Sequence, residues 1–354
     1  MTDLPDLRIA RVDPLDLDLA TADALAGVLT ACDVAAGLPF PPKVGAAVLT
    51  YRQLQSDGRP LDGLWLAFEG DRLVGHLDLT LPHRENTETA GLRGHVHPQA
   101  QRRGIGRTLL DIGTRAATDA GRSRVSAGAF LGTPGFLALE AWGFEATPGR
   151  YAVRRLDLHL ARAARWQTLY DEAAGRAADY ELIHLVGPTP DDLLDPMATL
   201  HEAINDAPAN DADEEPALFD ADRVLAYDDA MAGRRQSVYR VVARHLPTGE
   251  WAGLSMLCVD EHSPALAMQE DTSVVRSHRG HRLGLLMKAD MLRWIVRTRP
   301  EVGATDTWNS TSNDHMIAVN ERLGAEVVAE DARSHRSVPP RQNPRTVSSA
   351  WAAE

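Results

Sequence analysis

The chain has 354 residues, of which 44% are hydrophobic and 25% are charged, a composition typical of folded globular proteins. Its net charge of -13 disfavours binding to a nucleic-acid backbone, and its two cysteines are too few for a disulfide framework or a CxxC metal site. Because the sequence also shows neither a signal peptide nor an 18-residue apolar run, we expect a cytoplasmic protein that binds no nucleic acid and no membrane.

The length predicts two domains, and the sequence repeats itself once. Gly75 in DRLVGHLDLTL and Gly253 in GEWAGLSMLCV lie 178 positions apart, as do Val96 and Val274. The glycines of AWGFEA and RLGAEV lie 181 positions apart. This nearly constant offset predicts that one kind of domain is present twice.

Each copy predicts the element order βαβββαβαβ. A strand (LRIARV, YELIHLV) and an amphipathic helix come first, followed by a hairpin, a third strand, a helix that begins at glycines, a strand (SRVSAGAF, GATDTWN), a second helix and a closing strand. The order predicts an α+β fold of two tandem domains, each with a mixed, mostly antiparallel sheet flanked by helices. We expect an N-terminal domain at 1–157, a linking helix at 158–179 and a C-terminal domain at 180–354; VSSAW in the tail fits a final strand.

The junction VHPQAQRRGIGRTLLD joins a strand to a helix through a turn rich in arginine and glycine. Glycines let the backbone approach a ligand, and the free N–H groups at a helix start favour a phosphate or pyrophosphate. The turn matches VxxxxQxxGxG rather than GxGxxG or the P-loop pattern. The cofactor-binding residues predicted here are Val96, Gln101, Arg102, Arg103, Gly104, Ile105, Gly106 and Arg107.

The second copy of this junction, VVRSHRGHRLGLLMK, matches the pattern with Arg279 and Gly284 and departs from it at one position. Arg282 stands where the pattern has glycine. The backbone N–H groups remain available, so only the approach of the phosphate is affected. The corresponding predicted residues are Val274, Val275, Arg279, Gly280, His281, Arg282, Leu283, Gly284 and Leu285.

These two motifs, each in the same order of elements, resemble the acetyl-CoA signature of the GNAT superfamily of N-acetyltransferases. The resemblance extends over nearly the whole chain in tandem, and EDTSV, HRGHRLG, WNSTSNDHM and VNERLG make the second half the closer match. It implies that acetyl-CoA lies in a V-shaped gap between two strands and that its acyl group passes directly to a primary amine of a small molecule. It implies a carboxylate base and, usually, a tyrosine acid in the second helix, with no metal and no covalent intermediate.

The residues at the chemical positions favour the second half as the catalytic one. The resemblance places a base at even spacing before the motif valine, where Glu270 is the only carboxylate; Asp271 is the fallback. Strict alternation predicts that these two side chains lie on opposite faces of the strand. The first half has no acid at the corresponding positions, which leaves His95 and His97 as alternatives there and predicts a degenerate domain that retains the CoA-binding pattern.

Two further positions bear on catalysis. By the resemblance, Asn309 and Asn313 hydrogen-bond the pantetheine amides or order the loop, and the usual tyrosine is replaced by Leu139 in the first half and by Asn320 in the second. Neither half therefore has the standard general acid. This absence supports the competing hypothesis of a non-catalytic acyl-CoA-binding or scaffold protein.

An acidic stretch follows the first helix of the second half. It runs from Asp206 to Asp222 and holds seven carboxylates without a lysine or arginine. In the family this loop walls the acceptor side, so Asp206 and Asp211 are predicted substrate contacts and the acceptor is expected to be cationic. A solvated loop that never meets substrate is the alternative.

Overall fold

The computed structural model describes residues 7–159, 162–206 and 215–338, so the expected strand at VSSAW lies outside the described residues. The first half, up to Asp157, follows the predicted order with one added helix, α2. Its elements are β1 Leu7–Val12, α1 Leu19–Ala35, α2 Gly45–Gln53, β2 Gly63–Glu69, β3 Arg72–Thr80, β4 Thr89–Val96, α3 Ile105–Asp119, β5 Arg124–Phe130, α4 Pro134–Ala141 and β6 Glu145–Asp157.

The second half repeats this plan after a connecting helix, α5, and again has one added helix, α7. Its elements are α5 Ala163–Ala174, β7 Tyr180–Val186, α6 Leu194–Glu202, α7 Ala221–Gly233, β8 Gln236–His245, β9 Trp251–Asp260, β10 Leu266–Val274, α8 Leu283–Thr298, β11 Ala304–Ser310, α9 Asp314–Leu323 and β12 Glu326–Ser337. Parallel pairing joins β4 to β5 and β10 to β11, and the other pairs among the described strands are antiparallel. The mixed, mostly antiparallel α+β fold is confirmed.

Local side chains account for several helix starts. Asp18 accepts a hydrogen bond from the Thr21 N–H at 2.7 Å at the start of α1, and Asp220 accepts one from the Arg223 N–H at 2.8 Å at the start of α7. Such caps satisfy N–H groups that the helix itself leaves unpaired. The helices α3 and α8, which follow the two glycine-rich turns, have no side-chain cap.

All twelve described strands form one continuous sheet, and the halves exchange their closing strands within it. The order is β1-β2-β3-β4-β5-β12-β6-β11-β10-β9-β8-β7. The closing strand of the second half, β12, thus lies between β5 and β6 of the first half. In the same way β6 lies between β12 and β11, so each half is completed by a strand of the other.

The register shows how extensive the exchange is. β12 pairs with β5 from Asp331↔Phe130 to Ser337↔Arg124, and β6 pairs with β11 from Ala304↔Asp157 to Ser310↔Tyr151. These pairs join residues more than 140 positions apart along the chain, and each pairing is as long as the β2–β3 hairpin of the first half. The two halves therefore share their main-chain hydrogen bonds at the centre of the sheet.

Helices cover both faces of the sheet in each half. In the second half, Leu254, Met256 and Cys258 of β9 pack in the core with α6 and α7, whereas Leu257 and Val259 pack in the core with α5, α8 and α9. In the first half, α1 and α2 cover one face and α3 the other. None of the helices among the described residues has the length and apolar character needed to cross a membrane.

Candidate active site

The two turns that precede α3 and α8 have the same backbone although their sequences differ. In the first turn Arg102 and Gly104 have φ values of 62° and 87°, and in the second Gly280 and Arg282 have 87° and 61°. The left-handed positions thus correspond at an offset of 178, with glycine and arginine interchanged. The second half keeps the turn because an arginine tolerates the position that the sequence pattern reserves for glycine, at a cost of about 1–2 kcal/mol.

Both turns leave the helix start open to a ligand. Neither α3 nor α8 has a side-chain cap, so the N–H groups of their first turns remain available. A Cβ atom built at Gly104 or Gly280 meets nothing within 4 Å, so the space beside the turn is open. An uncapped helix start beside open space fits a pyrophosphate group.

The side chains of Gln101 and Arg279 hold these turns in the same way. Gln101 Nε2 donates to the Val96 carbonyl at 3.0 Å, and Arg279 Nε donates to the Val274 carbonyl at 3.1 Å. Each side chain reaches back across the turn to the end of the preceding strand. The shared contact explains why glutamine and arginine occupy equivalent positions.

The Asp206 carboxylate lies beside this second turn. It accepts hydrogen bonds from Arg276 at 2.9 Å and from Arg279 at 2.7 Å. Both arginines lower the pKa of Asp206 from its usual value, and Arg276 has the larger effect. Its negative charge is therefore balanced by two arginines of the second turn. Asp211, the other expected substrate contact, lies outside the described residues.

We expect Arg279→Ala to weaken CoA binding about fivefold, because one hydrogen bond that fixes the turn contributes about 1 kcal/mol. Arg279→Gln should restore the affinity, since glutamine makes this contact in the first half. Isothermal titration calorimetry with CoA measures both. Equal losses in the two variants would instead assign the role to the charge of Arg279.

In each half the two parallel strands next to the turn separate. The β10–β11 pairing ends at Gln269↔Thr307, and the β4–β5 pairing ends at Gly91↔Ser126. Beyond these pairs β11 continues against β6 and β5 continues against β12. The result is a gap between strands that leads from the glycine-rich turn into the sheet.

The strand β10 has an irregularity that β4 lacks. Its pairing with β9 passes from Gln269↔Leu257 to Thr272↔Ser255, so three residues of β10 oppose two of β9. Gln269 Nε2 lies 3.3 Å from Ser255 Oγ, and Thr272 Oγ1 lies 3.0 Å from the same atom. Gln269 and Thr272 therefore share a face, and the simple alternation expected from the sequence is interrupted by this bulge.

As a result of the bulge, both carboxylates face α6 and α7. Asp271 Oδ2 lies 3.4 Å from His201 Nδ1 of α6, and Glu270 lies close enough to Tyr227 of α7 and to Cys258 to raise the pKa of both. The expectation of opposite faces for Glu270 and Asp271 is wrong, because the extra residue shifts the alternation between them.

The Glu270 carboxyl group has the properties of a base at neutral pH. Although the residue as a whole is solvent-exposed, burial of its carboxyl group raises the pKa to about 7, and the nearby Asp271 carboxylate adds to the increase. A base is most effective when its pKa lies near the working pH. Perturbed carboxyl groups of this kind are concentrated in functional sites.

The corresponding surface of the first half holds a different network. The buried Arg52 and Asp78 form an ion pair at 2.9 Å, Asp78 lies 3.1 Å from His76 Nδ1, and His76 Nε2 lies 3.1 Å from His95 Nδ1. Burial is the main reason that the pKa of His95 is lowered to about 3, and the nearby His76 is the second. His97 instead caps the short helix after β4 by accepting from the Gln99 N–H at 3.3 Å.

The asparagines of the second half lie at two different places. Asn320 Nδ2 donates to Asn309 Oδ1 at 2.5 Å, and Asn320 is buried. Asn313 caps α9 by accepting from the Met316 N–H at 3.1 Å. In the first half, Leu139 is a buried apolar residue. The structure thus brings together the asparagine expected at the pantetheine and the asparagine that replaces the usual tyrosine.

Sequence reasoning missed Tyr227, because the acidic stretch concealed α7. The start of this helix is visible in retrospect as Asp220, with Val224 and Met231 at helical spacing after it. Tyr227 Oη lies 3.5 Å from Cys258 Sγ, and burial is the main cause of its raised pKa. A phenol hydroxyl therefore lies on the same side of the sheet as Glu270.

One group of side chains has the composition of a metal site. The ligand atoms of His245, Glu250 and His278 lie within 4.8 Å of one another. His278 Nδ1 lies 3.1 Å from the Tyr180 hydroxyl, which leaves Nε2 toward Glu250. The absence of a metal remains a prediction.

Comparison with known proteins agrees with this geometry. Residues 36–133 match the family model described as Acetyltransferase (GNAT) family. No curated protein sequence gives a significant match to the chain.

Solved structures match over nearly the whole length. A tandem GNAT protein from the clavulanic acid biosynthesis pathway, solved without acetyl-CoA, is 25% identical, with 95% of this chain and 100% of that chain covered and a TM-score of 0.75. A GCN5-related N-acetyltransferase from Sphaerobacter thermophilus is 14% identical, with 95% and 97% covered and a TM-score of 0.66. A putative acetyltransferase from Pyrococcus horikoshii is 15% identical, with 96% and 92% covered and a TM-score of 0.53. Residues 36–133 thus match the GNAT family, and the chain as a whole has a fold similar to that of a tandem GNAT protein.

Proposed function

We propose that the protein is an acyl-CoA-dependent N-acyltransferase that transfers the acyl group of acetyl-CoA to a primary amine of a small molecule. The observation that carries this proposal is the bulge in β10. It turns Glu270 and Asp271 toward α6 and α7 at the point where β10 leaves β11. A carboxyl group with a pKa of about 7 thereby lies beside a gap that begins at an uncapped helix.

In this proposal the pyrophosphate of the donor lies on the first turn of α8, and the pantetheine arm follows the gap between β10 and β11. The residues that bind it are Val274, Val275, Arg279, Gly280, His281, Arg282, Leu283, Gly284 and Leu285, with Asn309 along the gap and Asn313 holding the start of α9. The open space at Gly280 and the free N–H groups of α8 support this placement.

Glu270 acts as general base. The amine arrives as an ammonium ion, and Glu270 accepts a proton so that the neutral nitrogen attacks the thioester carbonyl. The C–N bond forms as the C–S bond breaks, and the leaving CoA thiolate takes up the second proton that the nitrogen loses when it becomes an amide. Glu270 and Asp271 have no pairing partner in β9. Backbone N–H groups at the bulge can therefore stabilise the developing oxyanion.

The first half is proposed to bind CoA without transferring an acyl group. Its turn at Val96, Gln101, Arg102, Arg103, Gly104, Ile105, Gly106 and Arg107 has the same backbone as the second turn. However, β4 pairs regularly with β3 from Gly75↔Val96 to Thr80↔Gly91, without a bulge, and presents no carboxylate to the gap. The competing proposal, a non-catalytic scaffold, extends this inactivity to the second half.

A screen of primary amines with acetyl-CoA separates the two proposals. We expect thiol release to depend on the amine and to be largest for cationic small molecules, because Glu270 and Asp271 place two acids at the acceptor side. Gly104→Glu, which obstructs the first turn, should leave turnover intact. If CoA binds but no amine of the screen causes thiol release, the scaffold proposal is favoured instead.

A further inference from the structure

A small cavity lies beneath the last paired residues of β10 and β11. Gln269 and Thr307 form the final pair before the strands separate, and both line the cavity. The cavity therefore adjoins the closed end of the gap, beyond the position of Glu270. Its polar lining consists of Arg154, Gln269, Lys288, Thr305, Thr307 and Asn320.

The guanidinium group of Arg154 is buried in this lining without an acceptor. The residue is 5% exposed, and its Nε and Nη1 atoms have no hydrogen-bond partner; neither has the nearby Thr305 Oγ1. The next residue, Arg155, makes the contrast clear, because it forms two hydrogen bonds of 2.7 Å with Asp306. Arg154 thus presents two unused N–H donors at the cavity.

Lys288 supplies a second buried cation from α8. It is 5% exposed, and within the part of the chain that the structure describes it forms neither an ion pair nor a hydrogen bond. Burial lowers its pKa to about 7, and no carboxylate contributes to that shift. A buried cation without a counter-ion is unfavourable, so two of them around one cavity indicate a place for an anion.

The cavity is formed jointly by the two halves. Arg154 belongs to β6, the closing strand of the first half, and pairs with Thr307 of β11 because the closing strands are exchanged. Lys288 belongs to α8 of the second half. The exchange therefore places a cation of the first half, Arg154, in the cavity of the proposed catalytic half.

We propose that this cavity binds the terminal carboxylate of the acyl group, so that the preferred donor is the CoA thioester of a dicarboxylic acid. The inference rests on the proposed function. With the reacting carbonyl beside Glu270, the far end of the acyl group points toward the closed end of the gap. An acetyl group leaves Arg154 and Lys288 unpaired, whereas a carboxylate at the end of a short acyl chain, once in the cavity, would pair with these two lining residues.

The transfer step itself is unchanged by this assignment. The amine still forms the C–N bond as the C–S bond breaks, and the remote carboxylate keeps its charge throughout. Its role is to pair with Lys288 and Arg154, which adds binding energy only for donors that carry it.

Calorimetry with succinyl-CoA, acetyl-CoA, CoA, and CoA plus free succinate tests the inference. We expect succinyl-CoA to bind at least about 10-fold more tightly than acetyl-CoA, as a charge-assisted pair in a buried site predicts. Free succinate should bind weakly or not at all. Tight binding of free succinate beside CoA would assign the cavity to a separate anion and overturn the proposal.

Two variants, one from each half, identify the residues. Lys288→Met and Arg154→Met should each remove most of the preference for succinyl-CoA and leave acetyl-CoA affinity within about twofold. The matched control is Lys43→Met, which changes the only other lysine of the chain, at the surface beside Asp33. Because Lys288→Met removes an unpaired buried charge, its thermal midpoint should not fall, and circular dichroism confirms that it is folded.

Two outcomes are distinguishable. If CoA and acetyl-CoA bind but succinyl-CoA gains nothing, the acyl-group assignment is wrong and the proposed function stands. If CoA does not bind at all, the proposed function fails, and this assignment fails with it.

Discussion

Glu270→Gln is expected to lower kcat by about 10²- to 10⁴-fold, the usual contribution of a positioned general base. Glutamine keeps the shape of the side chain but cannot accept the proton of the amine. Because Glu270 does not belong to the turn that holds the pyrophosphate, acyl-CoA affinity should change little, which places the loss in the chemical step. Steady-state kinetics with the best amine of the screen, together with calorimetry, measures both quantities.

Asp271→Asn is the matched control, because Asp271 lies on the same side of the sheet and faces His201. It should reduce kcat far less. It should also lower the pKa of Glu270, since the Asp271 charge is one cause of its increase. If the loss instead followed Asp271, the base would have to be reassigned to that residue.

The pH dependence gives a second readout of the same group. The base must be deprotonated, so kcat of the wild type should rise with pH through an apparent pKa of about 7, and this rise should disappear in Glu270→Gln. Stability should change in the opposite direction. Since the folded pKa lies above the ordinary 4.5, the folded state binds this proton more tightly, and the free energy of unfolding falls as the pH rises from 4.5 to beyond 7.

Ala332→Asp is expected to destabilise the protein by about 3 kcal/mol or more, because the desolvation of a buried carboxylate costs more than an ion pair with the neighbouring Arg150 returns. Ala332 is 2% exposed at the centre of β12, where it pairs with Ala129 of β5 and with Arg150 of β6. Thermal unfolding should show a midpoint lower by roughly 4 °C or more. Hydrogen exchange should accelerate in β5, about 200 positions earlier in the chain.

Val327→Asp is the control in the same strand. Val327 is 50% exposed, so an added carboxylate remains hydrated and the midpoint should change little. Hydrogen exchange in the Ala332→Asp variant could instead accelerate only in β10, β11 and β12 and stay unchanged in β5. That result would mean that the first half does not depend on β12.

Local patterns were sufficient to predict the strands, most helices and the two turns. The repeat was especially informative, because the offset that aligns Val96 with Val274 also aligns the left-handed positions and the side chains of Gln101 and Arg279. These features depend on neighbouring residues, so the sequence pattern carries them. The second turn looked irregular in the sequence only because Arg282 stands where the pattern has glycine.

The features that were missed depend on more distant partners. The bulge at Gln269 to Thr272 has no mark in the alternating sequence of β10, since a single added residue changes the pairing with β9 without changing the local composition. The cavity cations could not be recognised either. Arg154 and Arg155 look equivalent in the sequence, and only the placement of β6 beside β11 separates the paired side chain from the unpaired one.

The position of β12 also determines when the protein can finish folding during synthesis. The ribosome completes β5 and β6 long before it reaches Glu326, the first residue of the strand that lies between them. Until then the nascent first half leaves the edge of β5 and both edges of β6 open, and open strand edges are common sites of misassembly between chains. Expression of the first half alone would make that state permanent, so the two halves should be produced as one chain or brought together while both are being made.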